Sequence, residues 1–325
     1  MNRAALPAAA LVAGLAGCAA SPPLTDGLSP QAPRSIELSA VPFFPQEEYQ
    51  CGPAALATVL AASGVAVAPA ALAPQTFIPG RQGALQAELI GAARRHGRIA
   101  YVLAEHGDAL VAELAEGRPV LLLQNLGARR LPRWHYAVLV GYDAEKNVAI
   151  LRSGRQQRLE MRWQRFAASW HRAGRWAITV LPPEAIPSHA TADRYLESVI
   201  GLEAAGQREA AASAYDTAIA RWPGEPLFWL GRGNVAYAGG DLEAAADKYL
   251  RAILLAPRDA AARNNLALTL ADAGCLDEAH RQLERAADLA AGTPFMNPVE
   301  DSRARIRSQA DAGGGCRLAD RAWPD

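Results

Sequence analysis

The stretch VPFFPQEEYQCGPAALATVLAA, residues Val41–Ala62, decides how the rest of the chain is read. It opens as a short apolar run broken by Pro42 and Pro45, which suits an extended edge segment. A polar pentad follows, from Gln46 to Gln50. At Cys51 the texture changes to Ala, Leu, Thr and Val at helical density. Pro53 stands in what would be the first helical turn, where its missing N–H is not needed. The pattern therefore predicts one thiol at the N-terminus of a helix. Unpaired N–H groups there carry partial positive charge, which lowers a thiol pKa toward a reactive thiolate. A glutamine, Gln46, lies five residues upstream. A nucleophilic cysteine needs this layout, and a buried structural cysteine at a helix start shares it.

Composition bounds the rest. At 325 residues the chain has room for about two domains. With 50% hydrophobic and 20% charged residues it is globular, and its formal net charge of zero provides no field that would favour nucleic acid. The four cysteines, Cys18, Cys51, Cys275 and Cys316, form no CxxC pair and no Cys/His cluster at zinc spacing, so neither a metal nor a cofactor is expected. A pairing of Cys275 with Cys316 is possible in an oxidising compartment.

Upstream of the Cys51 stretch lies a targeting segment, residues 1–17. Arg3 supplies the positive region, and Ala4 to Gly17 is apolar, small and too short to span a bilayer. It ends in Leu15-Ala16-Gly17-Cys18, which resembles the lipobox of bacterial lipoproteins and implies lipidation at Cys18. An ordinary secretory signal cut near Ala19 or Ala20 is the alternative. Ala19 rather than Asp after the cysteine implies, by the same resemblance, the outer membrane, facing the periplasm. Residues 18–35 are rich in Pro, Ser and Gly and read as a flexible linker.

Downstream, residues 36–183 read as one domain. Helical patterns at Cys51–Ala62, near Val65–Ala73, at Leu85–His96 and at Leu110–Glu116 are joined by strand signals at Ile99–Leu103, Pro119–Leu126, Trp134–Tyr142, Val148–Leu151 and Trp176–Leu181. Thr76–Gly83 reads as a loop. Asp143–Asn147 makes a hairpin-like turn, so the sheet is expected to be largely antiparallel.

Past a short linker, residues 184–191, the chain turns purely helical with a period. Gly206, Gly240 and Gly274 are 34 residues apart, as are Ala211, Ala245 and Ala279, and Ala218, Ala252 and Ala286. Tyr215 and Tyr249 keep the register, and Pro223 and Pro257 close the first two units. A 34-residue period with small residues at the helix crossings is the tetratricopeptide signature. Three repeats fill residues 192–292, and 293–325 form a capping helix and tail. Such an array offers a concave surface to a peptide or protein partner. Arg263, Asn264 and Asn265 are placed either lining that groove or simply solvated.

A thiol nucleophile needs a general base. Five of the six histidines fall in helix ends, loops, turns, the linker or a repeat. His135 instead opens the apolar strand WHYAVLVGY, as either a core histidine or a site residue. Taken together, QEEYQCGPAALATVL and, about 80 residues later, WHYAVLVGYD resemble the papain-like bacteriocin-processing peptidases, and most closely the stand-alone C39-like branch. The resemblance spans roughly Leu38 to Leu181. It implies an α+β papain-like cysteine peptidase domain, here followed by an all-α tetratricopeptide solenoid. It also implies Cys51 as nucleophile, His135 as general base and Gln46 as oxyanion donor beside the Cys51 backbone N–H. The family's orienting Asp is missing: its place reads Ile150-Leu151-Arg152-Ser153-Gly154. Asn125 and Asp143 are the weak candidates for a third member, and a backbone carbonyl is another. The expected protein is a lipid-anchored cysteine peptidase, a thiol protease whose repeats recruit protein or peptide. A degenerate binding lipoprotein and a thiol amidase acting on cell-wall peptides are the alternatives. With no second apolar span and no GxxxxGK[ST] loop, an export ATPase is not expected.

Overall fold

The computed structural model describes residues 32–46, 50–78, 80, 83–309, 315–318, 321 and 323. The targeting segment, Cys18 and most of the first linker lie outside the described residues.

The N-terminal domain is built on an antiparallel sheet ordered β4-β9-β5-β6-β7-β8. In chain order these strands are β4 (Ile99–Val102), β5 (Val120–Asn125), β6 (Trp134–Asp143), β7 (Val148–Ser153), β8 (Gln156–Arg162) and β9 (Ala177–Leu181). A short β1 (Ser35–Glu37) pairs with the far end of β6, and β2 (Phe77–Ile78) with β3 (Gly83–Ala84) makes a separate two-residue hairpin inside the expected loop. Strand β5, VLLLQN, is buried along its whole length, as a central strand covered on both faces must be. One face carries helices α1 (Cys51–Ala62), α2 (Pro69–Thr76) and α3 (Gln86–Arg95), whose Leu56, Leu60, Leu72 and Leu89 are fully buried with Leu121, Val138 and Ile178 of the sheet. Truncating one of these leucines to Ala would cost about 2–5 kcal/mol. The other face carries α4 (Gly107–Ala115) and α5 (Trp163–His171), with Phe166 and Trp170 at its centre.

Helix α1 begins at Cys51 with no side-chain cap on its N-terminus, and Pro53 lies in its first turn. The Ala54 N–H donates to the Gln50 carbonyl at 3.2 Å, which leaves the N–H groups of Cys51 and Gly52 to a ligand.

The repeats follow as helix pairs: α6 (Ala192–Ala204) with α7 (Arg208–Arg221), α8 (Pro226–Ala238) with α9 (Leu242–Leu255), and α10 (Ala260–Asp272) with α11 (Leu276–Ala290). Gly206, Gly240 and Gly274 all sit at positive φ, between 73° and 81°, and turn one helix into the next. Helix α12 (Met296–Gln309) packs on the last pair through Val299 and Ile306, and a Cys275–Cys316 disulfide joins the following segment to the start of α11. Arg263 and Asn264 do not line a groove: both are buried, and Arg263 donates to Gln282 at 2.9 Å.

The first repeat is packed onto the sheet. Edge strand β4 would expose unpaired backbone groups, and α6 covers it. Ser198 donates to the Ala100 carbonyl at 3.4 Å, and Tyr195, Val199 and Leu202 join the core of Tyr101 and Leu103.

Candidate active site

Strand β6 outruns β7. The hairpin carries a bulge between Leu139 and Gly141, Val138 pairs with Arg152, and β7 ends one residue later. Tyr136 is thus left without a β7 partner, and two sequence-predicted residues fill the gap. Gln46 donates from Nε2 to the Tyr136 carbonyl at 3.3 Å. The amide of Tyr136 faces the Cys51 thiol. Gln46 is pinned a second time at the β7–β8 turn, where its N–H donates to the Gly154 carbonyl and its Oε1 accepts from the Gly154 N–H, each at 3.0 Å. A primary amide carries two N–H donors, so one remains beyond the bond to Tyr136.

Cys51 is a free thiol at the first position of α1. Gly52 lets the helix start lie close to the β2–β3 hairpin: a Cβ there would stand 2.6 Å from Ala84 Cβ. Burial pushes the thiol pKa up, while the backbone amides of Tyr136, Gly52 and Cys51 pull it down, with burial the larger effect.

His135 adjoins Tyr136 at the mouth of the strand. Its Nε2 lies 2.8 Å from Ser153 Oγ. Burial, helped by the nearby charge of Arg133, brings its pKa down to about 4. Thiol and imidazole are thus both neutral at neutral pH, not a preformed ion pair. Among the described residues no hydrogen bond joins Cys51 directly to His135.

Neither weak candidate for the third position faces His135. Asn125 Oδ1 accepts from the N–H groups of Gly127 and Arg133, at 3.0 and 2.9 Å, and so holds the β5–β6 loop. Asp143 lies at the opposite end of β6 and pairs with Lys146 at 3.2 Å. Ser153 takes the place instead. It lies in the segment where the expected carboxylate is missing, and register is the signal that could have found it. Counting back from the hairpin turn without a bulge sets Ser153 opposite Val138, on the α1 side of the sheet. The bulge shifts it by one residue, onto the face of His135.

Residues 38–178 match the model of the Peptidase_C39 like family. Residues 196–257 match that of the tetratricopeptide repeat. The chain therefore carries an α+β C39-like peptidase domain followed by tetratricopeptide repeats. Among solved structures, a putative C39-like peptidase from Bacillus anthracis is similar at 18% identity, covering 45% of this chain and 97% of its own, with a TM-score of 0.39. The type III secretion translocator chaperone SycD of Yersinia enterocolitica is similar at 19% identity, covering 37% and 86%, with a TM-score of 0.35. The first tetratricopeptide domain of Spaghetti (RPAP3), solved with an HSP90 peptide, is similar at 19%, covering 38% and 94%, with a TM-score of 0.34. No curated protein matches the chain. Among the described residues, no helix is long and apolar enough to cross a membrane, and no cluster of three His, Cys, Asp or Glu could hold a metal.

Proposed function

We propose that the C39-like domain is a thiol hydrolase acting on peptide bonds, with Cys51 as nucleophile. The observation that carries this is the filling of one strand end by three side chains. The Cys51 thiol is set against the Tyr136 amide and Gln46 against the Tyr136 carbonyl, and His135, one residue earlier on β6, holds Ser153 at Nε2. With Nε2 engaged by Ser153, His135 keeps Nδ1 for the thiol proton. Cys51 Sγ attacks the scissile carbonyl as that proton passes to Nδ1. Negative charge on the carbonyl oxygen meets the N–H groups at the start of α1 and the second N–H of Gln46. The imidazolium then returns its proton to the leaving amine, and water releases the acyl group from sulfur by the reverse route. Among the described residues no carboxylate is bonded to His135, so the imidazolium forms only transiently.

In this reading the lipobox-like segment marks Cys18 for lipidation and the lipid holds the protein on the outer membrane, facing the periplasm, while the repeats engage a peptide or protein partner. Labelling with a radioactive fatty acid tests the anchor: incorporation should vanish in Cys18→Ala. Catalysis is tested by incubating the full chain with internally quenched peptides and, in parallel, with muropeptides. Turnover lost in both Cys51→Ala and His135→Ala supports the hydrolase, and the preferred substrate separates a peptidase from a cell-wall amidase. The neutral Ser153 favours a second reading, a binding domain without turnover. Peptide binding with hydrolysis no faster than in Cys51→Ala would establish that one.

A further inference from the structure

A recess of about 420 Å³ lies between the sheet edge and the first repeat, bounded by β4, the start of β9 and α6. Its apolar wall is Val102, 40% exposed, and half-buried Trp176. Three guanidinium groups line it: Arg94 from α3, Arg175 from the α5–β9 turn and Arg194 from α6. Glu105 and Glu197 are its carboxylates, so cations outnumber anions.

Arg94 is held in place by the repeat domain. Its guanidinium lies against Gly201 of α6, where an added Cβ would come within 2.2 Å of Arg94 Cζ. Its Nη2 donates to the Glu197 carbonyl at 3.4 Å, and its Nε is buried with no hydrogen-bond partner. That nitrogen is closed off by α6, so what Arg94 offers at the wall of the recess is its charge, which favours a carboxylate ligand. Arg175 stands at φ 54°, a backbone conformation uncommon outside glycine and often found at ligand-binding turns.

The recess lies at the same end of the sheet as the thiol site. Trp176 meets Tyr136 edge to face, with ring centroids 5.9 Å apart, and Tyr136 is the residue whose amide faces Cys51. From β6 to β4, across β5 and β9, are three strand spacings, about 14 Å. An extended peptide covers that in about four residues at ~3.4 Å each.

We propose that this recess binds a carboxylate of an extended peptide substrate, about four residues from the bond cut at Cys51. The proposal rests on the thiol-hydrolase reading for its position, though not for the binding itself. Acidic side chains and a free peptide C-terminus share the chemistry. A repeat-domain arginine thus helps select what the peptidase domain cleaves.

The test uses the full chain and quenched peptides in which one Glu is walked along a neutral sequence, each matched to a Gln peptide, with free-acid and amidated ends. Glu placed three to five residues from the cut should raise kcat/KM by roughly tenfold over Gln. Arg175→Gln with Arg194→Gln should erase that preference, bringing Glu and Gln peptides to the same kcat/KM. A preference confined to free-acid peptides supports the recess and assigns it to a C-terminus. Equal cleavage of Glu and Gln peptides everywhere, with no gain from a free acid, overturns the proposal, as does a preference that survives the double variant. Fluorescence anisotropy on Cys51→Ala separates the two readings. Charge-selective binding abolished by the arginine substitutions supports the recess even where wild type shows no hydrolysis, and binding indifferent to charge overturns it.

Discussion

Replacing Ser153 with Asp should convert the neutral resting site into a thiolate–imidazolium pair. In the native chain burial holds the thiol pKa above its ordinary value, so the thiol rests protonated at pH 7. His135 stays neutral down to about pH 4. A carboxylate in the place of Ser153 Oγ, 2.8 Å from Nε2, would form a charge-assisted bond roughly twice as strong as the present neutral one. An opposite charge at that distance should bring the His135 pKa from about 4 to roughly 5–7. The imidazolium would in turn stabilise the thiolate, so alkylation of Cys51 at pH 7 should accelerate about tenfold or more. The assay is the iodoacetamide rate across pH 4–10, read on the Cys51 peptide by mass spectrometry. Wild type should show a single alkaline rise. Ser153→Asp should add a reactive plateau on the acid side, and a second change, His135→Ala, should remove it. Ser153→Ala should keep the wild-type alkylation profile but slow peptide hydrolysis by about 2- to 13-fold, the worth of one neutral hydrogen bond. If the Ser153→Asp profile overlays that of wild type at every pH, Ser153 is not the group that faces the imidazole.

Acid should destabilise the fold through His135. Its folded-state pKa of about 4 lies below the ordinary 6.5, so between those values the unfolded chain binds more protons and stability falls with falling pH. The loss approaches about 3 kcal/mol below pH 4, and urea titrations of His135→Gln should lack that component. Glu113 is 1% exposed and bonded at 2.7 Å both to Arg118 Nε and to the Ser188 N–H. Glu113→Ala should cost about 2–4 kcal/mol in chemical denaturation, with Glu113→Gln milder. Removing the Cys275–Cys316 bond, which closes a 41-residue separation, should cost up to about 4 kcal/mol. In calorimetry, Cys316→Ser should lower the melting of the repeats while leaving Cys51 alkylation unchanged.

The repeats were readable because small and aromatic residues recur at one fixed period, and every copy is stabilised by the same helix crossing. The Cys51 helix was readable for a local reason: Pro53 and the abrupt gain of apolar density mark its start. The third partner of His135 was not. It depends on a single bulged residue in the β6–β7 hairpin, and a one-residue slip exchanges the faces of a strand. Asn125 and Asp143 had suitable chemistry and sat near His135 in sequence. In three dimensions one is spent on the β5–β6 loop and the other on Lys146. The recess at the sheet edge was equally out of reach, because it joins residues about 100 positions apart, Arg94 and Gly201 among them.

Covering the β4 edge with α6 has a consequence for both halves of the chain. Tyr195, Val199 and Leu202 belong to the first repeat by period, yet they share one core with Tyr101, Leu103 and Leu181 of the sheet. The segment before them is not a free tether: Ser188 is tied to Glu113 through its N–H, and Tyr195 donates to the Ala185 carbonyl at 3.2 Å. Cutting there would expose three large apolar side chains and the β4 edge together, and exposed edges of that kind promote aggregation. The first repeat is therefore as much a part of the peptidase-like domain's stability as of the solenoid. On the proposed reading the same packing fixes the distance between the repeats and the thiol, so a partner bound to the repeats presents its chain to Cys51 from a set direction. A flexible tether would raise local concentration alone. A shared core also sets direction and register, and that is what lets a side chain such as Arg194 select a residue several positions from the bond at Cys51.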